Sequence, residues 1–362
     1  MSTSESNLST TSANRSEALF RKLQGAVLTQ ALVAAAQLEI AELLADGPLG
    51  INELATKTGA DSKSLHRLLR LLSVEGFVSE STAGAFELLP LGRLLRRNEP
   101  GSVRAFVLLW GEIWFWNALA AISQCIRTGT SGVEVSHGQK LFEFLDSHER
   151  ARHSYCDAME SLNEPEFLQT LVDAYPFRRA RLIVDLGGGT GSTMAAILRS
   201  APETRGVLFD RPTLRDAALR TLEREGVLSR CQFEGGNFLE SVPRGADLYL
   251  MKWIIVDWSD LDVLRILGCT RAAMGETARI LVIAGLQQRE ESLLACQTDL
   301  ITLAIPGGAR RTESEIVQLF SEAGLIHVPS IPVNRHWILE FGCDDSWQRE
   351  TGDSASSSSD SS

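Results

Sequence analysis

The chain has 362 residues, 44% of them apolar and 22% charged, which is more than one ordinary compact core holds and within the range of globular proteins. A formal charge of -11 argues against a large nucleic-acid footprint, because neutralising a polyanion takes a concentrated basic face. Six cysteines scattered singly, with no CxxC pair and no histidine at ligand spacing, give no disulfide framework and no metal site; they read as reduced, buried residues of a cytoplasmic protein.

Residues 1–16 are rich in Ser and Thr and lack the basic-then-apolar order of an export signal, so a disordered tail is expected there. From Leu19 through Leu23, Val27, Leu28, Leu32 and Ala36 the apolar residues recur at helical spacing. Ile51–Ala55 begins a short helix, Gly59-Ala60-Asp61 makes a turn, and Ser62 is placed to cap a helix through Leu65, Leu68, Leu69 and Leu72. Gly76–Val78 and Phe86–Leu88 follow as two short strands, so residues 17–100 are expected to form an all-α winged-helix dimerisation domain with a small wing. Lys63, His66, Arg67 and Arg70 on its second helix raise a ligand-responsive DNA-binding regulator as one reading. A solvated basic face on a dimerisation module is the other, and the acidic whole favours it. Such a module needs a second copy to cover its apolar faces, so a homodimer is expected.

Residues 101–176 read as a helical substrate cap. The apolar run Val103–Ile126 contains Trp110, Trp114, Phe115 and Trp116, but Gly111-Glu112 interrupts it, which fits buried helices around an apolar pocket better than a membrane span. From residue 177 to 345 short apolar strands alternate with helices, among them Leu182–Asp185, Gly206–Asp210, Leu248–Trp253 and Arg279–Ala284. That alternation predicts an α/β, Rossmann-like, doubly wound parallel sheet covered on both faces. Residues 346–362 are a Ser-rich tail expected to be disordered.

The first of these strands ends in Asp185 and runs into Gly187, Gly189 and Gly191 before a helix. Glycines there let backbone approach a ligand where a Cβ would collide. A dinucleotide fingerprint would place its third glycine where Ser192 stands. The next strand ends at Asp210, about twenty residues on, where a carboxylate can accept ribose hydroxyls. Nicotinamide, flavin and adenosylmethionine sites share these features, so the glycine run alone leaves all three open.

Later segments are more specific. Gly235-Gly236-Asn237-Phe238, then Leu250-Met251-Lys252-Trp253-Ile254-Ile255-Val256-Asp257-Trp258-Ser259-Asp260, and finally Pro306-Gly307-Gly308-Ala309-Arg310-Arg311-Thr312-Glu313 stand in order along the chain. They resemble the "GGDFF", "LKWVLHDWDD" and "GGRERTE" segments of the caffeate/hydroxyneurosporene-type O-methyltransferases, and the likeness extends more weakly over the winged-helix module, so that it covers residues 17–342. The resemblance implies S-adenosyl-L-methionine as cofactor. It gives Asp185, Gly187, Gly189 and Gly191 to the methionine end, Asp210 to the ribose, Asn237 and Phe238 to the adenine, and Lys252 and Trp258 to the surrounding loop. A bulky apolar substrate pocket is expected from Trp110, Trp116, Phe142, Phe144, Met159 and Val256.

The departures bear on chemistry. The histidine of the family's "HDW" is replaced by Val256, and the two acids that usually support it by Ala284 and Arg310. Three routes remain. Methyl transfer can proceed to an acceptor that is already nucleophilic, where in-line positioning contributes roughly 7–11 kcal/mol in the best intramolecular models. A base can come from elsewhere, with His137, His153 and His336 as candidates. The cofactor can also serve a reaction without methyl transfer, such as decarboxylation, hydroxylation or pericyclic cyclisation, with its positive charge stabilising developing negative charge. The leading expectation is methylation, most readily of oxygen, on an aromatic or polyketide-like small molecule of secondary metabolism.

Overall fold

The computed structural model describes residues 12–289 and 292–343. The expected C-terminal tail at 346–362 lies outside the described residues, as do residues 1–11. Residues 12–16, expected to be disordered, belong instead to the helix Ser12–Leu23. Glu17 and Arg21 pair across one turn of it, and pairs at that spacing add a few tenths of a kcal/mol to a helix.

The chain forms two compact units, Met1–Glu112 and Ile113–Ser362. In the first, the helices Gly25–Gln37, Ile51–Thr58 and Ser62–Val74 pack around Leu54, Leu65, Leu69, Leu72 and Phe86, all at most 2% exposed. Gly59, at φ +70, ends Ile51–Thr58 in a left-handed turn that favours glycine. The cap of Ser62–Val74 is Asp61 rather than Ser62. Its extended backbone turns the carboxylate onto the Ser64 N–H at 2.9 Å, while the Ser62 hydroxyl donates to Asn52 Oδ1. The unit is not wholly helical: β1 (Leu49–Gly50), β2 (Val78–Glu80) and β3 (Ala85–Leu88) form an antiparallel sheet in the order β1-β3-β2. Leu19, Phe20, Leu23 and Val27 leave an apolar stripe 60–65% exposed.

The apolar run of residues 103–126 breaks into Arg104–Leu109 in the first unit and Ile113–Ala120 and Ile122–Thr128 in the second. No helix among the described residues is long and apolar enough to cross a membrane.

The second unit contains a sheet of seven strands among the described residues, in the order β6-β5-β4-β7-β8-β10-β9. They are β4 (Leu182–Leu186), β5 (Arg205–Asp210), β6 (Cys231–Gly235), β7 (Leu248–Lys252), β8 (Arg279–Ala284), β9 (Ile326–Val333) and β10 (His336–Gly342). The first five are parallel, and β10 runs antiparallel to both of its neighbours. Alternation of side chains explains why the central strands read as continuous apolar runs. Val184, Leu186, Tyr249, Met251, Ile280 and Val282 enter one core, and Ile183, Leu248, Leu250, Leu281 and Ile283 the other. Chain order reverses between β4 and β7, and a crevice at the carboxyl ends of strands is expected at such a point.

Candidate active site

The β4 strand delivers Asp185 and then turns through Gly187, Gly189 and Gly191 at φ +70, +59 and +89. A Cβ on Gly187 would stand 2.4 Å from Ile254 Cδ1, and one on Gly191 2.7 Å from Leu208 Cδ1. At Gly189 a Cβ would meet no protein atom within 4 Å, so the loop's middle turns toward open space. The helix Ser192–Ser200 begins directly behind it, with its free N–H groups at the loop.

Asp210 closes the loop from β5. Its Oδ2 accepts the Gly189 N–H at 2.7 Å and Oδ1 the Arg211 N–H at 2.6 Å. Burial raises its carboxyl above the ordinary value, and these two backbone bonds and the Arg211 charge pull it part of the way back. Asp185 is 1% exposed, and its Oδ2 has no hydrogen-bond partner among the described residues. Burial raises its carboxyl and lowers the Lys252 ammonium, while their mutual attraction opposes both shifts. Lys252 Nζ donates to Asn163 Oδ1 at 2.8 Å and lies 3.4 Å from the centroid of the Trp253 ring.

Two helices of the cap are fastened to these loops. Glu160, at the end of Glu149–Glu160, accepts from Thr190 Oγ1 at 2.5 Å, from Ser192 Oγ, and from Asn163 Nδ2 at 3.1 Å. Asp146, in Leu141–Ser147, accepts from Arg211 Nε at 2.6 Å, from Arg211 Nη2 and from Thr213 Oγ1 at 2.8 Å. The loops after β4 and β5 are thus each tied to a cap helix by a charge-assisted bond.

On the other flank Phe238 meets Trp258 edge-on with centroids 5.4 Å apart, and Trp258 stacks on Phe142 at 5.4 Å and 19°. Asn237 is exposed; its Oδ1 accepts the Leu239 N–H and its Nδ2 donates to Glu240. The turn Ile255–Asp257 carries Val256 and is gripped by the segment around Gly308. Arg311 donates to the carbonyls of Ile255 and Trp258 and to the Asp260 carboxylate, and a Cβ on Gly308 would collide with Val256 O. Arg310 is occupied elsewhere, donating to Leu286 O. Asp257, next to Val256, is half-buried, and desolvation pushes its carboxyl up to about 7. The negative charge of Asp257 adds to the burial that holds the Tyr155 hydroxyl well above its usual value.

The expected residues do not all gather at one place. Asp185, the three glycines, Asp210 and Lys252 converge at the tip of β4, β5 and β7, and Phe238, Trp258 and Phe142 form a continuous aromatic wall beside them. Met159 is half-buried immediately before Glu160, and Trp116 half-buried on Ile113–Ala120, whereas Trp110 belongs to the N-terminal unit. His137 bonds through Nε2 to the Trp114 carbonyl at 3.2 Å and lies against Phe144. His153 is exposed, 3.9 Å from Glu149. His336 is enclosed by Phe167 and Trp253 and held down to about 4, chiefly by burial and then by the Arg335 and Lys252 charges. A histidine so held is neutral at physiological pH. Glu160, Asn163, Asp146 and Arg211 carry no motif that marks them in the sequence, and Asp257 and Arg311, though they stand inside the family-like segments, take no role from the resemblance. Adjacency was the available signal, since Arg211 follows Asp210, Glu160 follows Met159 and Asp257 follows Val256.

Comparison with known proteins agrees with this architecture. Residues 20–98 match the O-methyltransferase dimerisation domain and residues 116–326 the O-methyltransferase domain. The phenazine O-methyltransferase PhzM of Lysobacter antibioticus is 36% identical over 310 residues, 85% of this chain and 90% of its own. The structure of the mitomycin 7-O-methyltransferase MmcR superposes with a TM-score of 0.87 at 34% identity, covering 91% of this chain and 98% of that one. NcsB1, an O-methyltransferase from neocarzinostatin biosynthesis solved with S-adenosylmethionine and 2-hydroxy-5-methyl naphthoic acid, superposes at 0.77 with 27% identity over 87% and 95% of the two chains. The chain belongs to the O-methyltransferase family.

Proposed function

We propose that this protein methylates an oxygen of a planar aromatic small molecule, with S-adenosylmethionine as methyl donor, and works as a cytoplasmic homodimer. The observation that carries the reading is the cradle at the tip of β4 and β5. There the Gly189 N–H is fixed on Asp210, the open side of Gly189 admits a ligand, and a buried Asp185 oxygen lacks a partner. An adenosyl amino acid fits that donor and acceptor set: an ammonium for Asp185, ribose hydroxyls for Asp210, and an adenine for the edge of Phe238. When bound, S-adenosylmethionine supplies an electrophilic methyl group on a sulfonium.

The chain's own residues then have three tasks. Glu160 and Asp146 hold the cap helices onto the cofactor loops, which keeps water from the crevice. Phe142 and Trp258 offer a flat apolar wall suited to a planar ring. Arg311 and Gly308 fix the turn that carries Val256, where an imidazole would stand in the family's usual arrangement. Val256 has no proton acceptor, so rate comes from orientation toward an acceptor that ionises readily. The substrates named for the relatives, a phenazine, a mitomycin and a hydroxynaphthoic acid, are aromatic or quinone ring systems of this kind.

The dimer reading is supported by the exposed stripe Leu19, Phe20, Leu23 and Val27 and by the matched dimerisation domain. Six cysteines that form no disulfide among the described residues suit a reducing compartment. The test is incubation with methyl-labelled S-adenosylmethionine and a panel of hydroxylated phenazines, quinones and naphthoates, read by mass spectrometry. Label in a product, with adenosylhomocysteine released in equal amount, is expected. A product formed without cofactor consumption would replace this reading with a non-methylating one.

A further inference from the structure

Trp253 stands immediately after β7 with its backbone in the left-handed region, at φ +58. For a side chain with a Cβ that conformation is strained, and it persists where the surroundings over-determine it. Neighbouring residues of a regular strand point to opposite faces and do not meet. Lys252 and Trp253 do meet, with Nζ 3.4 Å from the ring centroid, and the left-handed turn is what permits it. Two contacts hold the residue there. The Trp253 backbone N–H donates to Ile283 O of β8 at 2.9 Å, and Phe167 stacks on the indole ring at 5.8 Å and 15°.

The ammonium that results is held on several sides. Asn163 Oδ1 accepts from it at 2.8 Å, and the charges of Asp185 and Glu160 act on it. His336, tilted against Trp253 with centroids 5.5 Å apart, brings no competing positive charge while it is neutral. Without the indole face the half-buried lysine would keep its hydrogen bond to Asn163, with Asp185 and Glu160 acting on it through charge alone, and a four-carbon side chain has many rotamers to explore.

We infer that Trp253 is a positioning residue, whose ring face and left-handed backbone fix the Lys252 ammonium at the crevice tip and thereby set its affinity for the adenosyl cofactor. The inference rests on the proposed cofactor, but it concerns a residue that does not itself line the glycine loop. A cation over an indole contributes about 1–2 kcal/mol when partly desolvated, which is close to a tenfold change in affinity.

The test is a double-mutant cycle on the full-length protein, with adenosylhomocysteine binding measured by calorimetry. Trp253→Leu is expected to weaken binding about tenfold and Trp253→Phe by less than about threefold. In a Lys252→Met background Trp253→Leu should change affinity by less than about twofold, because the group through which it acts is gone. If Trp253→Leu does not fold, Trp253→Met enters the same cycle, and melting temperatures of every variant separate stability from affinity. Equal losses in both backgrounds would show ordinary packing and overturn the positioning role alone. A wild-type protein that does not bind adenosylhomocysteine would overturn the cofactor reading first, and this inference with it.

Discussion

The Asp210 carboxylate at the end of β5 accepts the backbone N–H of Gly189 in the loop after β4, at 2.7 Å, so the two halves of the candidate cofactor cradle are one hydrogen-bonded unit. Asp210 also accepts the Arg211 N–H at 2.6 Å. Asp210→Ala would strand both part-buried donors, at a cost toward the lower end of the about 1–3 kcal/mol of a fully buried group left unpaired. We expect adenosylhomocysteine affinity to fall at least tenfold in Asp210→Ala and less in Asp210→Asn, which keeps one acceptor oxygen. Calorimetry on the two variants checks the order.

The glycines of the loop should separate by what surrounds them. Gly191→Ala places a Cβ 2.7 Å from Leu208 Cδ1 at φ +89, so it should lower the melting temperature through both clash and backbone strain. Gly189→Ala meets nothing within 4 Å, so its cost in the free protein should be the left-handed penalty alone, about 1–2 kcal/mol. Its loss of cofactor affinity should exceed that loss of stability. Melting curves with and without adenosylhomocysteine measure both quantities.

Much of this site was legible because it is local in sequence. An acid, four glycines and a helix start occupy Asp185–Ser192, and the tip of the next parallel strand is Asp210, so the pairing of adjacent parallel strands brings them together. The fastenings from the cap were not legible. Glu160 reaches Thr190 across 30 positions and Asp146 reaches Arg211 across 65, and isolated polar pairs at such separations leave no periodic trace. Asp61 taking the cap expected of Ser62 is a smaller case of the same kind, decided by backbone direction among adjacent capping residues. The contact of Lys252 with Trp253 was hidden because strand geometry predicts that they diverge.

Val256→His restores an imidazole to the turn held by Arg311. With orientation as the source of rate, turnover of the methyl acceptor found by the labelling panel should stay within about threefold of wild type. Initial rates across pH settle this. A gain of a hundredfold or more, the size general-base catalysis commonly contributes, would mean that the missing base limits the wild-type enzyme.

Asp257 gives a pH signature in stability. Its carboxyl rises from the ordinary 3.8 to about 7 on folding, so the native state binds the proton more tightly than the unfolded chain does. Stability therefore falls as pH rises from about 4 to about 7, and the full penalty is present above that window. Each tenfold tightening of proton binding is worth about 1.4 kcal/mol, so the effect is a few kcal/mol before relaxation around the carboxyl reduces it. Asp257→Asn should melt above wild type at pH 8, and the gap should close toward pH 4. Thermal melts at both pH values provide the check, and a constant gap would contradict the assignment.

The roles of Asp185, Asp210 and Lys252 all depend on one property of the crevice at the tips of β4 and β5, that it takes S-adenosylmethionine or its demethylated thioether. The direct measurement is parallel titration calorimetry of the wild-type chain with S-adenosylmethionine, adenosylhomocysteine, NAD and FAD. One site per chain is expected for the first two, micromolar or tighter, and no heat from the dinucleotides. Binding of NAD or FAD with no response to either adenosyl compound would contradict it.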